Sequence, residues 1–402
     1  MLNPVLLLVS TPVEILPSAS TRRPKTAAPF RYRLMLPAIT LMLVSLIGNY
    51  WAMKVSRFAS EHAPRTLDWF QTLPEVRRTQ LAAPRPYLLY IGNSQVTLIR
   101  DVQPGDRTSY EWLEQLVSER REAGERFVVY PGSLGGMTVT EALFTLDAYF
   151  RSAGRPALVV MALSRDLFRM VGARPEVVRV VREVGSQQEL IRAADDADLP
   201  QASAALRFCL AQATPEQAAS RDKSSPGTAE QALQSFAESL PIFAARDGMQ
   251  RSILATFTRW RNHAFSIRSS TPRVLPSEIY RANLEMLDLL LRYASAHNLR
   301  LLLYLSPLRP LQPGPYSQVE LRQFREDIAT MSRNYPGVLR LDYLNLLPEG
   351  YWGNYPHGTP EGLDGQPDFA HMTGRGHLFL AQQLVKEANC ELAASEADAL
   401  CP

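Results

Sequence analysis

The chain has 402 residues, 46% hydrophobic and 21% charged, a balance that excludes a disordered polymer and can bury a large core. Its net charge of +3 hides two opposed parts: residues 1–60 hold seven basic residues and one acid, a net +6, which leaves −3 for residues 61–402. A mildly acidic body argues against a nucleic-acid partner, and three cysteines (Cys209, Cys390, Cys401) with no CxxC and no His at ligand spacing argue against a disulfide framework or a zinc site.

Residues 1–33 read as a cytoplasmic tail. Leu34 to Met53 (LMLPAITLMLVSLIGNYWAM) then run for twenty positions without a charge, enough for a helix of about 30 Å that spans a bilayer. Arg31 and Arg33 precede it, Lys54 follows, and Phe30, Tyr32, Tyr50 and Trp51 mark its two ends as interfacial residues do. Basic residues are more numerous before the span than after it, so the positive-inside rule predicts a signal anchor with a cytoplasmic N-terminus and an exported body. Residues 54–85 read as a stem that ends at Pro84-Arg85-Pro86.

From residue 86 the pattern changes. Short apolar runs, Tyr87–Ile91, Phe127–Tyr130, Ala157–Leu163, Leu299–Leu305 and Val338–Leu341, alternate with helical stretches at Thr108–Arg121, Thr138–Arg151, Ser317–Asn334 and Thr373–Ala388. Strands apolar on both faces and separated by helices predict an α/β domain over 86–392, with a parallel sheet sandwiched by helices. The stretch between the third and fourth runs lacks strand character: residues 170–275 read as a helical insertion, with an amphipathic helix at 233–262 and a second one after the insertion at 277–297; residues 393–402 read as a C-terminal tail. In such a sheet, function gathers in the loops at the carboxyl ends of the strands, here 92–97, 131–137, 162–169, 306–316 and 342–372.

Three of those loops hold chemistry. Ser94 follows the strand-ending Gly92-Asn93, on a tight turn where an exposed hydroxyl and free backbone N–H groups suit a nucleophile; an ordinary helix cap is the equal alternative. Asp368 stands three residues before His371 in Pro367-Asp368-Phe369-Ala370-His371-Met372-Thr373, a spacing that lets the carboxylate turn back onto Nδ1 and leave Nε2 for the nucleophile. The cluster Gly132-Ser133-Leu134-Gly135-Gly136-Met137-Thr138 could aim a backbone N–H at an oxyanion. Of the other histidines, His62, His263 and His297 read as structural or solvated, His377 as packed or exposed in the last helix, and His357 as a pocket candidate.

Taken in order, these blocks resemble the SGNH (GDSL-like) hydrolase superfamily. Gly92-Asn93-Ser94 stands at the GDS block, Gly136-Met137-Thr138 at the glycine block and Asp368-Phe369-Ala370-His371 at the DxxH block before the last helix. Asn93 replaces the usual Asp, and Ala162-Leu163-Ser164-Arg165-Asp166 lacks the oxyanion Asn. The resemblance implies an SGNH-like, flavodoxin-type sheet and a Ser94–His371–Asp368 triad, with Ser94, Gly136 and Ser164 as oxyanion donors and neither metal nor cofactor. With the single anchor it is similar to the membrane-bound subgroup of the D-alanyl transfer protein DltD and the alginate acetylation proteins. That subgroup implies the bacterial cytoplasmic membrane with a periplasmic or otherwise extracytoplasmic domain, a membrane-bound O-acyltransferase (MBOAT) partner, and O-acyl transfer to, or ester hydrolysis on, a polysaccharide. Asn93, Trp352, Tyr355 and His357 are the candidate substrate-binding residues, the aromatics by stacking on sugar rings. The competing reading is a non-catalytic glycan-binding or scaffold subunit.

Overall fold

The computed structural model describes residues 68–119, 127–212, 256–311, 313–356 and 362–399. The expected anchor at 34–53, the tail before it, His62, His357 and Cys401 lie outside the described residues. Among the described residues no helix is long and apolar enough to cross a membrane. Cys209 is buried, Cys390 exposed, and both are free thiols.

Five strands, β1 (Tyr87–Gly92), β2 (Val128–Ser133), β3 (Leu158–Leu163), β4 (Leu301–Leu305) and β5 (Val338–Asp342), form one sheet in the order β2-β1-β3-β4-β5. Every pairing is parallel. The chain leaves β1 for one neighbour and returns to the other side of β1 for β3, so a switch point lies at the carboxyl ends of β1 and β3.

Period-two alternation divides each strand between two cores. Leu89, Ile91, Val159, Met161, Leu303 and Leu305 face one layer; Leu88, Tyr90, Leu158, Val160, Leu302 and Tyr304 face the other. The first layer is built from α1 (Trp69–Ala82), α4 (Val139–Ala153), α5 (Pro175–Val184), α6 (Gln187–Asp196), α7 (Pro200–Gln212), α8 (Ser277–Ala296) and α9 (Gln318–Ser332). The second holds α3 (Ser109–Ser118) and α10 (Gly374–Ala399), which pack on each other through Leu113, Val117, Leu380 and Leu384. A four-residue helix, α2 (Ser94–Thr97), starts where β1 ends.

Two boundaries differ from the sequence reading, at the stem and at the C-terminal tail. Trp69, Leu73 and Val76 of α1 are buried in the core, so half of the stretch read as a stem packs with the domain, as three large apolar side chains on one helical face require. The described part of the insertion is a helical layer: α5, α6 and α7 bury Val177, Val181, Leu190 and Leu206 against α4 and α8. Helix α10 runs to Ala399, through most of the expected tail. The loop expected at 342–372 contains a small antiparallel hairpin, β6 (Trp352–Asn354) with β7 (Pro367–Met372).

Candidate active site

The turn after β1 is set by crowding. A Cβ on Gly92 would sit 2.5 Å from Val96 Cγ2 and 3.0 Å from the Ala162 Cβ, so only glycine lets β1 bend into α2 there. Asn93 caps the short helix, its Oδ1 accepting from the Gln95 N–H at 3.0 Å. Ser94 is half-buried between two buried neighbours, Asn93 and Gln95, and its N–H, the first of the helix, makes no hydrogen bond within the described residues.

Asp368 and His371 reach Ser94 from β7, so the DxxH segment is a strand rather than the predicted loop. Its short partner β6 supplies the pairing. Ser94 Oγ lies 2.9 Å from His371 Nε2, and His371 Nδ1 lies 2.8 Å from Asp368 Oδ2. The other carboxylate oxygen accepts the N–H groups of Ala370 and His371 at 2.9 and 3.0 Å, which is how the chain turns Asp368 back onto its own histidine. With Nδ1–H donated to the carboxylate, Nε2 is the acceptor for the serine proton.

One member of this cluster was not anticipated. Arg100 Nε donates to Asp368 Oδ2 at 2.7 Å, with Asp368 fully buried and the arginine 11% exposed. Arg100 is held in turn: its N–H donates to Met372 O at 2.9 Å, its guanidinium lies 4.8 Å from the Tyr355 ring centroid, and a Cβ on Gly353 would come within 2.2 Å of its own Cβ. Burial by itself would raise the Asp368 pKa. The hydrogen bond and charge of His371, the charge of Arg100 and the Ala370 N–H outweigh it and hold the carboxyl well below the usual range.

A second unanticipated residue sits behind the glycine loop. Gly136 adopts φ +64°, and its N–H makes no hydrogen bond within the described residues. Arg174 Nη2 accepts no proton but donates one to Gly135 O at 2.6 Å, and its Nε pairs with the buried Glu141 at 3.1 Å. Because the peptide is planar and trans, fixing the Gly135 carbonyl on Arg174 turns the Gly136 N–H the opposite way. The Leu134 N–H bonds Gly92 O at 3.1 Å and ties this loop to the end of β1. Ser164 stands at the end of β3, buried, its Oγ accepting from Asn93 Nδ2 at 2.7 Å, which leaves the hydroxyl proton as the group Ser164 can still donate.

No protein-family model matches the chain, and no curated protein matches it.

The expected substrate-binding residues fare differently from the triad. Trp352 is buried in the second core with Nε1 directed at Leu347 O, because the β6 strand lays its indole under α10 rather than outward. Tyr355 is 7% exposed beneath Arg100, and Asn93 is committed to Gln95 and Ser164, so both support the site from within. His377 is fully buried in α10: Nδ1 accepts from the Ser109 N–H at 3.0 Å, and Nε2 lies 3.2 Å from Leu98 O. Burial lowers its pKa to about 4. His297 packs against Phe150 and Tyr293, and His263 is exposed. Among the described residues no group of His, Cys, Asp and Glu is arranged to hold a metal ion.

Proposed function

We propose that this protein is a membrane-anchored, extracytoplasmic serine O-acyltransferase or esterase of SGNH type, acting on ester groups, in the first place acetyl, of a cell-envelope or secreted polysaccharide. The observation that carries the reading is the continuous relay Ser94–His371–Asp368, with both hydrogen bonds under 3 Å. Ser94 Oγ attacks the acyl carbonyl as His371 Nε2 takes its proton. The N–H groups of Ser94 and Gly136 receive the oxyanion, with the Ser164 hydroxyl as a third donor. Collapse returns the proton from His371 to the departing alcohol and leaves the acyl group on Ser94. An acceptor hydroxyl, deprotonated by the same imidazole, then takes the acyl group; water in its place gives hydrolysis. The order of motifs and the charge-free run at 34–53 support a place at the bacterial cytoplasmic membrane beside an MBOAT partner that supplies the acyl group.

A second reading, a non-catalytic glycan-binding or scaffold subunit of such a complex, is favoured by one observation: β3 ends on a buried serine where an amide donor would serve the oxyanion better. Ser94→Ala separates the two. Under the catalytic reading, polymer acylation in the host cell falls to background while the protein level holds. Unchanged acylation would leave the scaffold reading standing.

A further inference from the structure

A cavity of about 280 Å³ opens beyond the carboxyl end of β4, between residues 308–310 and 314–316 on one side and helix α9 on the other. Phe369 of β7 forms one wall, two residues before His371 on the same strand, so the cavity lies roughly 7 Å along the chain from the candidate base. The hairpin and the cavity are joined directly: the Arg309 N–H donates to Phe369 O at 3.2 Å, and the Leu308 N–H to Leu344 O at 3.0 Å.

The lining divides into an apolar floor and a basic rim. Leu344, Phe369 and Tyr316 are buried and supply the floor. Three arginines line the rim and no carboxylate does. Two of these cations are already neutralised: Arg309 by Glu349, with its remaining N–H donated to Gly353 O at 2.8 Å, and Arg325 by Asp342 at 2.7 Å. Arg322 is exposed and has no hydrogen-bond or ion-pair partner among the described residues. The rim therefore carries one uncompensated positive charge, whose planar fork suits a carboxylate.

We propose that this cavity is a subsite for one carboxylate-bearing sugar unit of the polymer, a hexuronate or equivalent, whose carboxylate pairs with Arg322 while the apolar face of the ring rests on Phe369 and Leu344. The identity of the ligand as a polymer unit rests on the acyl-transfer reading above. A single free cation matches a monoanion, the floor matches the C–H face of a pyranose, and the spacing to His371 places the neighbouring unit of the chain at Ser94. The subsite thus selects acidic polymers although the exported body is itself net acidic: the selection is local.

Binding is measured by calorimetry on the full-length Ser94→Ala protein in detergent, with a glucuronate-containing oligosaccharide and its carboxyl-reduced neutral counterpart. The acidic probe is expected to bind at least tenfold more tightly, with affinity falling as salt rises. Arg322→Ala is expected to remove that preference while leaving the neutral probe unchanged, and Arg322→Lys to restore part of it. Equal affinity for the two probes, or a preference that survives Arg322→Ala, overturns the proposal. Since the serine is absent throughout, the result does not depend on catalysis, whose own test is the Ser94→Ala acylation experiment.

Discussion

Arg100 and His371 donate to the same oxygen of Asp368, at 2.7 and 2.8 Å. The carboxylate is fully buried, so its charge is stabilised by these two donors and by the two backbone N–H groups on its other oxygen. Arg100→Met removes one of them. A buried ion pair broken from one side costs about 3–5 kcal/mol, and the low end is expected here because His371 remains. Thermal unfolding at neutral pH measures it. The folded pKa of Asp368 is depressed, so its stabilising contribution is present above the unfolded value of about 3.9 and is lost as pH falls through the folded one. Arg100→Met should shrink that acid-side loss.

Asp368→Asn keeps the side-chain oxygen that accepts from the Ala370 and His371 N–H groups but presents an amide to Nδ1. The imidazole then takes the tautomer with its proton on Nε2, which cannot accept from Ser94. Acyl transfer is expected to fall by about 10⁴, as for a triad with the wrong tautomer, with the circular dichroism spectrum unchanged. A tenfold loss or less would mean that His371 is oriented without Asp368.

Arg174→Ala frees the Gly135 carbonyl without touching the nucleophile. Loss of one oxyanion donor costs about 3 kcal/mol of transition-state stabilisation, and a misdirected Gly136 N–H should cost a part of that, roughly tenfold in kcat with KM nearly unchanged. Gly136→Ala acts on the same peptide differently. Its Cβ would meet only Arg174 Nη2, at 3.9 Å, so space is available and the penalty is the φ of +64°, about 1–2 kcal/mol.

His377 is neutral in the fold, with its pKa lowered to about 4 by burial. Between that value and the unfolded value of about 6.5, the unfolded chain binds a proton that the folded chain does not. Stability should therefore fall as pH drops through this window, by about 1.4 kcal/mol per pH unit from this group. His377→Asn should remove the slope, at the cost of the bond to Leu98 O. Urea titrations at pH 7, 6 and 5 on both proteins test it, and equal slopes would assign the acid sensitivity elsewhere.

The strands and the triad were legible because their signals are local. Tyr87–Ile91 and Ala157–Leu163 are apolar on both faces, which only a covered parallel sheet accommodates, and the three-residue interval from Asp368 to His371 contains its own hydrogen bond. Arg100 was not legible. It lies 268 residues from the carboxylate it pairs with, on a stretch with no pattern to distinguish it from other surface arginines. Arg174 lies within 170–275, which the sequence reads only as a helical insertion, with no motif to single it out. The hairpin was missed because β6 is three residues long, too short to show alternation. Trp352 and Tyr355 were read outward for the same reason: without the hairpin nothing in the sequence tells which way an aromatic in that segment faces.

Ser94 stands just past the first strand of the sheet, while His371 rides on a hairpin 277 residues later. At a synthesis rate of roughly 5–20 residues per second, that interval corresponds to roughly 14–55 seconds. A growing chain thus holds Ser94 without His371 for 277 of its 402 residues, about two thirds of its synthesis. The Ser94–His371 contact therefore forms only after the hairpin has been made and has docked on the sheet.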